Sequence, residues 1–201
     1  MPRTARLAYD HEGFSPFGDP MLRWLAYVIS GWLLIALVGG LADVMHLTIM
    51  LPATSAIVVT HVAFARGTSV PFGLSVAIAL GYLEDLHQGA PMGTLCLAHA
   101  FAFLLLRWAS ARLHLRGWIL RGVASVFAVL LVDVLTWAVL FTLSEPLGLR
   151  REALVSSLSD SRWHALATML AAPPVWAFVE RVFTLLRLED KPPHQAYWSG
   201  Q

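Results

Sequence analysis

Long apolar runs that carry almost no charge constrain this chain more than any other feature. A membrane-spanning helix needs about 20 consecutive, mainly apolar residues, and runs of this kind recur from Leu22 to Leu186. Hydrophobic residues make up 57% of the 201 residues and charged residues only 13%, and the mean hydropathy is +0.64. The sequence therefore predicts an integral membrane protein and leaves no room for a water-soluble domain of useful size.

The apolar runs predict an all-α fold, a bundle of six transmembrane helices that occupies residues 21–188. Polar tails at 1–20 and 189–201 flank the bundle. The first run is longer than the apolar part of a secretory signal and lacks a clear cleavage site, so we interpret it as an uncleaved span. The predicted spans are Leu22–Ala42, Leu47–Ala65, Val70–Leu86, Pro91–Ala109, Trp118–Leu143 and Trp163–Leu186.

The basic residues predict the orientation. Loops on the cytoplasmic side of a membrane carry an excess of Lys and Arg, and 11 of the 14 basic residues fall on one side of the predicted bundle. Both termini are therefore expected in the cytoplasm, and the loop between the third and fourth spans is expected outside. The 11 residues are Arg3, Arg6, Arg23, Arg66, Arg107, Arg112, Arg116, Arg121, Arg181, Arg187 and Lys191.

A ridge of small residues runs along the third span. Gly73, Ala77 and Gly81 are spaced by four residues, and Asp85 continues the same line. Small residues at this spacing let another helix approach closely. Packing within the bundle is the favoured interpretation, and docking of a partner helix is the alternative.

A polar link, Gly81–Thr94, joins the third and fourth spans. Pro91 suits the first turn of a helix, where its missing N–H costs nothing. The free N–H groups around Gly93 would then form the positive end of a helix dipole, which Asp85 or Glu84 can cap. The link is either a capped helical hairpin or an outward-facing site for a ligand or partner.

Asp133 lies near the middle of the fifth span, where an unpaired carboxylate is costly. At 100° per residue it shares one helix face with Gly122, Ser125 and Thr136. His99 is the expected partner, because both side chains are predicted at similar depths of about 12 and 15 Å below the outer face. A structural pair is favoured over a proton relay.

Three further segments carry expectations. Pro174, in the pair Pro173-Pro174, should kink the sixth span, and Arg181 can extend to the cytoplasmic interface. The outward loop Glu145–Arg162 has leucines that suit either a short helix on the membrane surface or a surface for a partner. Cys96 lies in an apolar run and, as the one cysteine of the chain, has no internal disulfide partner.

Together these residues resemble the MreD family of rod shape-determining membrane proteins. The first motif is Gly81-x-x-x-Asp85-Leu86-x-x-Gly89-x-x-x-Gly93. The second is Val132-Asp133 followed by Trp137, and the third is Pro174 with Trp176 and Arg181. One departure is Ala53 after Pro52, where members often have an acidic residue. The polar tail at 1–20 is also longer than expected.

The resemblance implies a non-enzymatic subunit of the bacterial cell-wall elongation machinery in the inner membrane. Such proteins bind MreC, which has a single span, and work beside the MreB filament, RodA and a penicillin-binding transpeptidase. The implied fold resembles the S component of energy-coupling factor transporters. Candidate partner-binding or structural residues are Gly73, Ala77, Gly81, Asp85, Gly89, Pro91, Gly93, Asp133, Trp137, Pro174 and Arg181.

Two other functions stay open at this point. The outward polar link above a helix N-terminus suits a small-molecule subunit of the S-component type. An intramembrane enzyme would use the carboxylates and imidazoles for acid–base chemistry, but no HExxH, GxSxG or paired-cysteine motif is present. We expect no cofactor or metal, and a net charge of +1 does not indicate nucleic acid. The residues concerned are Glu84, Asp85, His87, His99 and Asp133.

Overall fold

The structure, a computed structural model, describes residues 20–46, 51–65, 67–89, 91–112, 118–144, 148 and 151–188, without the side chains of residues 118 and 151–160. These residues form six α-helices. The tails at 1–19 and 189–201 lie outside this description. The helices are α1 (Pro20–Met45), α2 (Thr54–Phe64), α3 (Val70–Gln88), α4 (Thr94–Ser110), α5 (Trp118–Thr142) and α6 (Arg151–Leu185).

Three stretches of helix are long and apolar enough to cross a membrane. They are Pro20–Met45, Ile119–Thr142 and Ser161–Leu185, in α1, α5 and α6. α2 and α4 are apolar but shorter. The prediction of an all-helical fold is therefore confirmed, and the three long apolar helices agree with a membrane protein. The finer prediction of six spans rests on the sequence.

The short helix α2 forms the centre of the bundle. It contacts each of the other five helices, and every residue from Thr54 to Thr60 is buried. A helix that is apolar on all sides is stable only when neighbours surround it. Ile57, Val58 and Val62 accordingly lie in the main hydrophobic core.

The predicted second span, Leu47–Ala65, is wrong at its start. The helix begins only at Thr54, because Pro52 lacks a backbone N–H and disfavours helical geometry in the residue before it. Eleven residues rise only about 16 Å, roughly half of a hydrocarbon core. The non-helical backbone is stabilised inside the protein, where the Ala53 N–H donates to Thr168 Oγ1 at 3.0 Å.

The last helix is longer than predicted. α6 runs without interruption from Arg151 to Leu185 and continues through Pro173 and Pro174. The expected separate surface helix within Glu145–Arg162 is therefore wrong from Arg151 onward, since this backbone forms the first turns of α6. The rest of that loop, apart from Gly148, lies outside the described residues.

One face of α5 packs against its neighbours. Its buried residues recur with helical spacing, as a one-sided core contact requires. They are Gly122, Ser125, Ala128, Val129 and Val132.

The outer surface of the bundle is apolar. Exposed aliphatic and aromatic side chains occur on every long helix, far beyond the patches that soluble monomers expose. Lipid is the environment that such a surface matches. Examples are Ile29, Leu37, Phe101, Leu104, Val123, Phe127 and Leu170.

Candidate functional site

The Asp85 carboxylate caps the N-terminus of α4. Oδ2 accepts from the Gly93 N–H at 2.8 Å, and Oδ1 accepts from the Leu95 N–H at 2.9 Å. A longer contact of 3.4 Å joins Oδ2 to the Cys96 N–H. Asp85 is only 1% exposed, so these N–H groups replace the water that a buried charge would otherwise lose. The predicted cap is confirmed, with Asp85 as the capping residue.

The small-residue ridge lies inside the bundle, between α3 and α4. A Cβ on Gly81 would stand 2.6 Å from the Leu95 carbonyl oxygen, and one on Gly73 would overlap the Phe103 ring. Ala77 between them is fully buried. The ridge is thus filled by α4 and does not form a free surface for a partner helix.

Two glycines shape the turn between α3 and α4. Gly89 ends α3 with φ +65°, and Gly93 precedes α4 with φ +94°. Residues other than glycine rarely adopt such values. The prediction for Pro91 is wrong, because α4 begins at Thr94 and Pro91 lies before it. Its carbonyl accepts from the Thr94 N–H at 3.1 Å and closes the turn.

Glu84 points into the bundle rather than to the helix end. Its Oε2 accepts from Ser55 Oγ at 2.6 Å and lies 3.3 Å from His99 Nε2. Gln88 Nε2 donates to Oε1 at 2.9 Å. His99 Nε2 is also 3.1 Å from Ser55 Oγ. Glu84, Ser55 and His99 are 8%, 0% and 1% exposed, so α2, α3 and α4 share a buried polar cluster.

The predicted pairing of His99 with Asp133 is wrong. Asp133 Oδ2 instead lies 3.3 Å from His164 Nδ1 on α6. The two predicted depths were similar, but the His99 side chain contacts residues of α2 and α3, and Asp133 contacts a residue of α6. Depth follows from sequence spacing, whereas the direction in which a side chain points depends on how the helices are arranged.

Other motif residues lie at the α5–α6 interface or on its surface. The Trp137 ring stacks on Phe141 with centroids 5.0 Å apart. Trp176 is buried beneath the Arg121 guanidinium, 4.8 Å from the ring centroid. Pro174 and Arg181 are exposed. The motifs of α3–α4 and of α5–α6 therefore occupy separate regions of the structure.

Sequence reasoning missed four residues that hold the helices together. Ser55, at the start of α2, donates to Glu84, and Thr168 accepts from the Ala53 N–H just before that helix. His164 pairs with Asp133. Arg107 Nη2 donates to the Thr68 carbonyl at 2.6 Å, and Nη1 donates to the Ala63 carbonyl at 3.1 Å. The sequence feature that could have indicated them is a polar side chain within an apolar run, because such a side chain requires a partner inside the bundle.

This arrangement favours contacts between carboxylates and imidazoles and the capping of a helix. A nucleophilic triad would place a carboxylate on Nδ1 of the histidine, but His99 Nδ1 contacts the Leu95 carbonyl at 2.9 Å, and Glu84 lies on the Nε2 side. Within the described ranges no group of three or more His, Cys, Asp or Glu side chains is placed to hold a metal ion.

Comparison of the chain with protein-family models, with curated proteins and with solved structures gives no match.

Proposed function

We propose that this protein is a non-enzymatic membrane subunit of the bacterial cell-wall elongation complex, similar to MreD. In this proposal it crosses the inner membrane six times with both termini in the cytoplasm. It binds an MreC-like single-span protein and links the MreB filament to RodA and its penicillin-binding transpeptidase.

The observation that carries the proposal is the α3–α4 hairpin. The first of the MreD-like motifs lies there, and four of its residues have a defined role, Gly81, Asp85, Gly89 and Gly93. Gly81 permits backbone contact with α4, and Asp85 caps that helix. The two other glycines adopt positive φ at the turn. The motif therefore acts on helix packing, as a scaffold requires, and its carboxylate is occupied by backbone donors.

The distribution of polar groups also supports a scaffold. Glu84 and Asp133 each pair with a histidine from another helix, at 3.3 Å in both cases. Many large apolar side chains are exposed on the helices. A protein that acts by presenting helix surfaces to other membrane proteins needs both a rigid interior and such an exterior.

Depletion of the protein in its host tests this proposal. Rod-shaped cells should become spherical, and the wild-type gene should restore the rods. Asp85→Asn should restore them poorly, whereas Asp43→Asn, which alters an exposed carboxylate on α1, should restore them fully. Cells that keep their shape on depletion would refute the proposal.

Co-purification is the second test. The tagged protein, extracted in mild detergent, should carry with it a single-span protein that has a periplasmic domain. Purification of the protein alone at native expression levels, with cell shape unaffected, would contradict the scaffold role.

An open groove between α4 and α5 favours one alternative, a small-molecule binding subunit. Its volume is about 420 Å³, within the usual range for ligand pockets. The lining is almost wholly apolar, so it suits a lipid-like ligand better than a polar vitamin. Native mass spectrometry that finds one tightly bound small molecule per chain would favour this alternative. The lining residues include Leu97, Phe101, Leu135, Val139 and Leu143.

A further inference from the structure

We propose that the α5–α6 seam, the line along which the two helices meet around Asp133 and His164, is a docking site for a transmembrane helix of another membrane protein. That helix carries a hydrogen-bonding side chain, Ser, Thr, Asn or Gln, at mid-membrane depth. The proposal requires a partner helix of this chemistry and does not depend on the role in cell-wall elongation proposed above.

The Asp133–His164 pair lies at membrane depth and still reaches the surface of the bundle. Asp133 lies nine residues before Thr142, the end of α5. This spacing places it about 14 Å from the helix end, near the middle of a hydrocarbon core about 30 Å thick. The side chains of Asp133 and His164 are nevertheless 18% and 30% exposed. Polar groups that face lipid at this depth are costly, so a polar partner suits this surface better than acyl chains do.

The pair leaves hydrogen-bonding atoms unused. Asp133 Oδ2 lies 3.3 Å from His164 Nδ1. Among the residues that the structure describes, Asp133 Oδ1 and His164 Nε2 have no hydrogen bond. Glu84 and Asp85 differ in this respect, because both oxygens of Glu84 contact side chains and both oxygens of Asp85 accept from N–H groups of α4. Asp133 thus keeps an oxygen for a group from outside the bundle.

Two further polar atoms on the same part of α5 lack a partner. The Thr136 hydroxyl oxygen and Trp137 Nε1 are buried without a hydrogen bond in the described part of the chain. Both residues follow Asp133 by about one helical turn and are its neighbours on the helix surface. A buried polar group without a partner destabilises a protein, and rotation toward a docked helix that offers an acceptor would remove this cost. Unpaired groups therefore cluster at one place on the α5–α6 seam.

A membrane helix is the occupant that fits this position. Phospholipid headgroups lie roughly 15 Å away, at the edge of the hydrocarbon core, and acyl chains carry no hydrogen-bonding groups. A transmembrane helix satisfies its own backbone and can present a polar side chain at any depth. Such side chains form hydrogen bonds across helix interfaces in membranes. Leu130 and Val134, exposed on α5 beside the pair, match the apolar remainder of such a helix.

Site-specific photocrosslinking of the full chain in its host tests the docking site. Leu130→p-benzoylphenylalanine places the probe two helical turns before Trp137, on the same side of α5. The matched control is the same replacement at Leu104 on α4, because the two leucines are 39% and 41% exposed. The probe at Leu130 should crosslink to one other membrane protein, through a transmembrane segment that contains Ser, Thr, Asn or Gln. The probe at Leu104 should not give this adduct.

The adduct should depend on the polar contact. Asp133→Leu should lower its yield about fivefold or more, the effect of losing a hydrogen bond between membrane helices. Asp133→Asn keeps a hydrogen-bonding side chain and should retain most of the yield. If Asp133→Leu does not accumulate in the membrane, leucine replaces the polar residue of the crosslinked helix instead, which leaves this chain unaltered.

Four results would overturn the proposal. They are the absence of a protein adduct at Leu130 (including crosslinks to phospholipid alone), crosslinks to a second copy of this chain, an equal yield of the same adduct at Leu104, and a yield that the leucine replacements leave unchanged.

Discussion

Replacement of Asp85 by Asn tests the central role of the helix cap. The two carboxylate oxygens accept short hydrogen bonds from Gly93 and Leu95 in a site that is 1% exposed. Asparagine keeps one accepting oxygen and turns an amide N–H toward the other backbone N–H. One hydrogen bond to a charged group, worth about 1.5–3 kcal/mol, is lost. The favourable charge–dipole interaction, about 0.3–2 kcal/mol, is lost as well.

We therefore expect Asp85→Asn to lower the free energy of unfolding by about 2–5 kcal/mol, since both contributions disappear together. Asp85→Ala should cost more than Asp85→Asn, because the N–H groups of Gly93 and Leu95 then both lose the carboxylate, and that of Leu95 is buried. The assay is equilibrium unfolding in mixed detergent micelles, followed by tryptophan fluorescence.

Asp43→Asn is the matched control for this experiment. It removes a carboxylate from the exposed side of α1, and surface changes of this kind usually stay within about 0.5 kcal/mol. If Asp85→Asn also stayed within that range, the argument that the carboxylate holds the α3–α4 hairpin would be refuted.

Three further predictions concern other contacts between helices. Gly81→Ala should lower the melting temperature because its Cβ would stand 2.6 Å from the backbone of α4, whereas Gly40→Ala has open space and should raise it slightly. Thr168→Val should lower the free energy of unfolding by about 1–3 kcal/mol, because the buried Ala53 N–H loses its acceptor. Thr168→Ser keeps the hydroxyl and should lower it much less. Equal effects of Val and Ser would contradict the role of the hydroxyl. Arg107→Ala should speed hydrogen exchange in the α2–α3 connection, whose carbonyls the guanidinium binds, and unchanged exchange there would contradict this assignment.

The apolar runs by themselves determined the class of protein and most helix positions. α1, α3 and α5 begin and end within a few residues of the predicted spans, because about 20 apolar residues in sequence have few stable alternatives to a helix in lipid. A carboxylate cap on α4 was also predictable, because the free N–H groups of a helix start need an acceptor and Glu84 and Asp85 lie in the preceding link. Only the structure decided that Asp85 is the residue that binds them.

Only the tertiary structure decided which polar side chains meet. The Glu84–His99 and Asp133–His164 pairs join residues from different helices, and sequence spacing gives the depth of a side chain but not the neighbour that it faces. The central position of α2 was equally hidden, because an apolar helix can be surrounded by protein or by lipid with the same composition. The structure shows that α2 is surrounded by protein, because the five other helices all contact it.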